Sequence, residues 1–129
     1  MKKYYSIEIP EDFRIFESEF GIEGIQYKRE NFLSLSKKGT ELTFFMKHDA
    51  KNPKDANAIA IIAKRKGFFG DVEKPIGFVP AKISSYIADT GLLNSLVIRP
   101  KRSFFDDTVI DFSFDILGPK DKYTQYKSV

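Results

Sequence analysis

Residues 108–116 read Thr-Val-Ile-Asp-Phe-Ser-Phe-Asp-Ile, and this stretch decides the fold class. Ile110, Phe112, Phe114 and Ile116 fall on one parity, while Asp111, Ser113 and Asp115 fall on the other. Successive side chains of a strand point to opposite faces, so the pattern predicts a strand with one face in a core and the other polar. Working outward, the same period of two recurs. From Arg14, the residues Phe16, Phe20 and Ile22 alternate with Glu17, Glu19 and Glu23; Glu41 to Lys47 places Leu42, Phe44 and Met46 on one face. Ala58 to Ala63 is apolar on both parities, as expected of a central strand covered on two sides. Pro75 to Val79 and Leu93 to Ile98, the latter closed by Pro100, read as two further short strands.

Punctuation between these runs is equally plain. Gly21 and Gly24 suggest a bend, with Ile25-Gln26-Tyr27 resuming extended structure; Lys37-Lys38-Gly39-Thr40 reads as a turn. Gly67 to Gly70, with Phe68 and Phe69 between, reads as a loop. One helix is expected near 80–90, with Pro80 at its start, Ile83, Ile87 and Ala88 on one stripe, and Gly91 just past its end. Residues 1–12 read as an N-terminal extension, 13–117 as the domain, and 118–129 as a flexible C-terminal tail. Many short strands, one helix and no strand-helix alternation predict a mainly β, small antiparallel barrel of OB-like or SH3-like type.

Composition bounds the chemistry. A chain of 129 residues is one domain long, and its apolar runs fall far short of the roughly 20 residues of a membrane-crossing helix. The start MKKYYSIEIP has no apolar stretch behind its lysines, so an intracellular protein without a secretory signal is expected. With no Cys and the single His48, thiol nucleophiles and a zinc site are excluded, and no cofactor is expected. No phosphate loop, GxSxG elbow or HExxH motif is present, and the chain does not read as an enzyme. The best case for a metal is Asp106, Asp107, Asp111 and Asp115, with Asp111 and Asp115 on one side of their strand; the plainer reading is a wet outer face that discourages edge pairing.

Charge is uneven along the chain. The net charge of +3 is mild, yet residues 24–66 hold ten Lys or Arg against four Asp or Glu. Within that basic third lies the loop His48 to Asn57, longer than a tight hairpin requires, whose Asn52-Pro53-Lys54-Asp55 core is strong turn chemistry.

The run Asn52-Pro53-Lys54-Asp55-Ala56-Asn57-Ala58-Ile59-Ala60-Ile61, followed by Pro75-Ile76-Gly77-Phe78-Val79-Pro80 and preceded by Gly24-Ile25-Gln26-Tyr27, resembles the HIRAN domain over residues 13–117. That resemblance implies a modified OB-like β-barrel, one helix after the second motif, and capture of a single-stranded DNA 3′ end. It further implies that Tyr27 stacks on a base, that Asn52 belongs to the end-holding loop, and that Asp55 accepts a hydrogen bond from the terminal 3′-hydroxyl. Lys54 stands where DNA-binding members often carry an aromatic, Gln26 where they often carry a basic residue, and Pro80 where a basic residue can occur. Lys28, Arg29, Lys51 and Lys54 are the cations expected along a phosphate path. The expected nucleic-acid-binding set is thus Tyr27, Lys28, Asn52, Lys54, Asp55 and Phe78. Implied partners are single-stranded DNA or DNA ends and a protein such as a translocase or repair enzyme. A protein-interaction barrel that has lost end binding is the alternative, and a metal-dependent nuclease built on the Asp set is a third reading.

Overall fold

In the computed structural model, residues 2–36 and 41–128 are described; the expected turn at residues 37–40 lies outside them. Among the described residues, seven strands form two antiparallel sheets. In chain order they are β1 (Lys2–Tyr4), β2 (Phe13–Gly21), β3 (Leu42–His48), β4 (Ile59–Arg65), β5 (Val72–Phe78), β6 (Val97–Phe105) and β7 (Ile110–Pro119). The first sheet runs β1-β6-β7-β2, the second β3-β4-β5. The chain is mainly β, as the alternation at 108–116 predicts.

The core forms where the inward faces meet. Phe112, Phe114 and Ile116 of β7 are fully buried, and Phe112 stacks on Phe114 with ring centroids 4.5 Å apart. Phe44 of β3 meets both rings edge-on at 5.2 Å, so the two sheets are held to one another by aromatic contacts. β4 is buried from Ile59 to Ala63, in agreement with its expected central place between β3 and β5.

The two sheets also meet through main chain. Beyond β2, Glu23 and Phe78 exchange hydrogen bonds of 2.9 and 2.8 Å. Gly77 makes this approach feasible, because a Cβ there would lie 2.6 Å from Ile22 Cγ1 and 2.7 Å from the Glu23 carbonyl oxygen.

Several expectations are corrected. Ile25-Gln26-Tyr27 is not extended: Ile25–Lys28 forms a 3-10 turn that runs into helix α1 (Arg29–Ser36). Ile25, Phe32 and Leu35 all bury on this side, and their helical spacing overrides the strand reading. The expected helix is α2 (Ala81–Thr90), ending at Gly91, whose N–H bonds the carbonyls of Ile87 and Ala88. Leu93–Ser95 is a 3-10 turn, and β6 passes through Pro100 to Phe105 instead of stopping there, because a register shift between Pro100 and Arg102 accommodates the missing N–H.

The termini belong to the fold as well. Lys2–Tyr4 pairs with β6, and Tyr5 stacks on Phe112 at 5.8 Å, so residues 2–5 of the expected extension pack as part of the fold. Residues expected to form a flexible tail complete β7, then a 3-10 turn (Lys120–Lys122) and helix α3 (Tyr123–Lys127). Tyr126 is buried against Phe16 and donates its hydroxyl to Glu17 Oε1 at 2.8 Å. The segment lacks strand periodicity because it is helical; Tyr123 and Tyr126, three apart, are its apolar face.

The Asp set does not gather. Asp111 is exposed, whereas Asp115 is 1% exposed beneath Arg99, whose Nε donates to its Oδ2 at 2.8 Å. Its other oxygen accepts the Glu19 N–H at 2.7 Å, holding Glu19 at φ 46° in the irregular stretch of β2. Asp115 therefore faces fold-internal partners and is not shared with Asp111.

Candidate nucleic-acid interface

The loop between β3 and β4 is built by its own side chains. Asn52 Oδ1 accepts the N–H groups of Lys54 at 2.9 Å and Asp55 at 3.1 Å, and Asp55 Oδ1 accepts the N–H of Asn57 at 2.9 Å. These are consecutive Asx turns, in which a short side chain replaces a main-chain acceptor. His48 Nε2 donates to the Ala56 carbonyl at 2.7 Å, and Asp49 N–H donates to Ala58 at 2.8 Å, closing the base of the loop. Asn52 Nδ2 reaches Asp49 Oδ2 at 3.4 Å. His48 is thus a turn-bracing residue.

One oxygen of the loop carboxylate is left over. Asp55 Oδ2 has no partner among the described residues, and Asp55 is half-buried. Lys51 and Lys54 are exposed and unpaired among the described residues.

Tyr27 is positioned through main chain. Gly24 sits at φ 75°, a left-handed conformation that favours glycine, and its carbonyl accepts the Tyr27 N–H at 3.0 Å. The adjoining Glu23 is paired with Phe78, and Val79 beside it donates to Ile59 at 2.9 Å. The Tyr27 turn is thus tied to the end of β5, and the Asn52–Asp55 loop, through Asp49 and Ala58, to the start of β4 beside it. Tyr27 is 84% exposed, and among the described residues its ring meets no other ring and no cation.

The remaining residues divide. Phe78 is half-buried, with Cδ2 3.9 Å from where a Gly24 Cβ would stand, and forms the floor beside the Tyr27 turn. Lys28 is half-exposed and has no ion pair among the described residues, whereas Arg29 donates to the Asp106 carbonyl. No hydrogen bond joins Tyr27 to Asn52 or Asp55. Sequence reasoning missed Glu23 and Asp49, the two residues that fix the turn and the loop. Their signal was only position: each flanks a motif.

Three comparisons, with protein-family models, with curated proteins and with solved structures, found no match to this chain.

Proposed function

We propose that this chain is a nucleic-acid-binding module of HIRAN type that takes the 3′ end of single-stranded DNA, and that it has no catalytic activity of its own. The observation that carries this reading is Tyr27: a large ring, 84% exposed, held on a glycine turn that is tied to the end of β5, the strand next to the one at whose start the basic, Asx-braced loop ends. An exposed aromatic on a rigid turn is a stacking platform, contributing about 1–3 kcal/mol per base without demanding a sequence. In this reading Asp55 Oδ2 accepts the terminal 3′-hydroxyl, and Asn52 holds the carboxylate in place by bonding the Asp55 N–H. Lys28, Lys51 and Lys54 lie along the phosphates. Phe78 supports the Tyr27 turn from below. The two sheets are taken as a modified OB-like barrel, for which the Glu23–Phe78 pairing is the supporting feature.

The test is fluorescence anisotropy of the full chain with a labelled single strand and a labelled duplex, with and without magnesium. Tight single-strand binding that weakens linearly in log salt supports the reading. Equal or tighter duplex binding, or strand cleavage with magnesium, contradicts it.

A further inference from the structure

The outer face of the first sheet carries side chains that the core does not use. Ser103 of β6 and Phe112 of β7 are buried, so their neighbours in sequence, Arg102, Phe104 and Asp111, turn to the opposite side. β1 adds to that side through its register: Tyr4 lies across from Arg102, and Lys2 across from Phe104. Lys2 Nζ stands over the Tyr4 ring at 5.9 Å, which puts the two on one face. The result is two neighbouring cross-strand rows, Tyr4–Arg102 and Lys2–Phe104, each an aromatic ring beside a cation.

These rows are open to solvent. Tyr4 is 67% exposed, Lys2 and Arg102 are exposed, and Phe104 is half-buried without packing against the core among the described residues. The solvated side of an antiparallel sheet calls for polar residues, so two large rings there need an occupant that uses them. Charge narrows the choice. Asp115, the buried carboxylate of this face, is taken up by Arg99 at 2.8 Å and Lys101 at 3.9 Å. Lys2 and Arg102 have no ion pair among the described residues, and the carboxylate left beside the two rows is Asp111, across from Phe104. Four cations of β1 and β6, Lys2, Arg99, Lys101 and Arg102, thus meet two carboxylates of β7.

We propose that this face is a second nucleic-acid surface, which takes an internal stretch of a single strand. Two bases stack on Tyr4 and Phe104, and the phosphates beside them lie against Arg102 and Lys2. Stacking requires bases with free faces, and a duplex offers a protein only base edges and backbone, so the occupant is single-stranded. An acidic peptide would satisfy the cations and leave both rings unused. Alternate residues of a strand place the two rows about 7 Å apart, so adjacent nucleotides of an extended strand can occupy them in turn. The surface goes beyond the end-holding site: neither Tyr27 nor Asp55 belongs to it, and it needs no free 3′ end.

The experiment is anisotropy of the full chain with a labelled circular oligothymidylate, which has no end for Asp55 to hold. The circle is expected to bind at low salt. Tyr4→Ala weakens that binding roughly tenfold, and Tyr4→Phe keeps most of it. Arg102→Ala weakens it as well and reduces the slope against log salt by about one, while Asp55→Ala leaves it unchanged. Both Tyr4 and Arg102 are exposed, and an unchanged urea midpoint in each variant separates a lost contact from a lost fold. No binding of the circle overturns the proposal; if a linear strand with a 3′-hydroxyl still binds, the end-holding reading stands without it. Circle binding indifferent to both Tyr4→Ala and Arg102→Ala also overturns it. So does full displacement of the circle by polyglutamate at equal charge, which would make an acidic protein segment the occupant.

Discussion

Glu23 and Phe78 exchange both of their main-chain hydrogen bonds, at 2.9 and 2.8 Å, and this pair fastens the Tyr27 turn to the end of β5, which lies beside the start of β4 where the loop of Asn52 and Asp55 ends. Together with the bonds from α1 to Pro75, Lys74 and Arg65, it fixes the turn after β2 on the second sheet. Fold and candidate interface depend on the same contact.

Gly77→Ala is expected to break that contact. Its Cβ would sit 2.7 Å from the Glu23 carbonyl oxygen, a backbone atom that cannot step aside. A loss of about 1–3 kcal/mol is expected in urea unfolding, together with weaker single-strand binding. Unchanged stability would show that the close approach is not present in solution.

Asn52→Ala removes the acceptor for two N–H groups, those of Lys54 and Asp55. Urea denaturation should report a loss of about 1 kcal/mol, and Asn52→Asp, which keeps the acceptor, should lose much less. Equal losses in both variants would argue against the turn geometry.

Burial, followed by the hydrogen bond to Glu17, pushes the Tyr126 hydroxyl far above its ordinary value of 10.0. The folded chain thus keeps the proton that the unfolded chain releases. Stability from this group is complete below pH about 10 and falls as pH rises above it, because ionisation favours the unfolded state. Thermal unfolding followed between pH 8 and pH 11 should show a steeper alkaline loss in the parent chain than in Tyr126→Phe. Parallel profiles would contradict a buried Tyr126.

Much of this architecture is legible in the residues, and the exceptions have physical causes. Ile110, Phe112, Phe114 and Ile116 announce β7 because a strand buried on one face must alternate. Asn52 and Asp55 announce the loop because their side chains replace backbone acceptors within a few residues. Helix α1 is hidden by its shortness: Phe32 and Leu35 give a single spacing of three, and Gly24 before them reads as a bend in extended chain. The buried Tyr126 is equally hidden, since only the fold brings Phe16 and Glu17 to it. The exposure of Tyr27 depends on the Glu23–Phe78 pair, 55 positions apart in sequence, which no local pattern reveals.

Tyr27→Ala should leave stability unchanged, because the ring is exposed and touches no other ring. Single-strand affinity should fall roughly tenfold to a hundredfold by anisotropy, with Tyr27→Phe retaining most of it. An undiminished affinity in Tyr27→Ala would remove the stacking platform from the account.

The most direct test compares one labelled single strand ending in a 3′-hydroxyl with the same strand ending in a 3′-phosphate, in anisotropy titrations at fixed salt. Asp55 Oδ2 can accept from a hydroxyl and repels a phosphate, so the account predicts at least about tenfold tighter binding of the hydroxyl end, and loss of that preference in Asp55→Ala. Equal affinity of the two strands for the parent chain would contradict it.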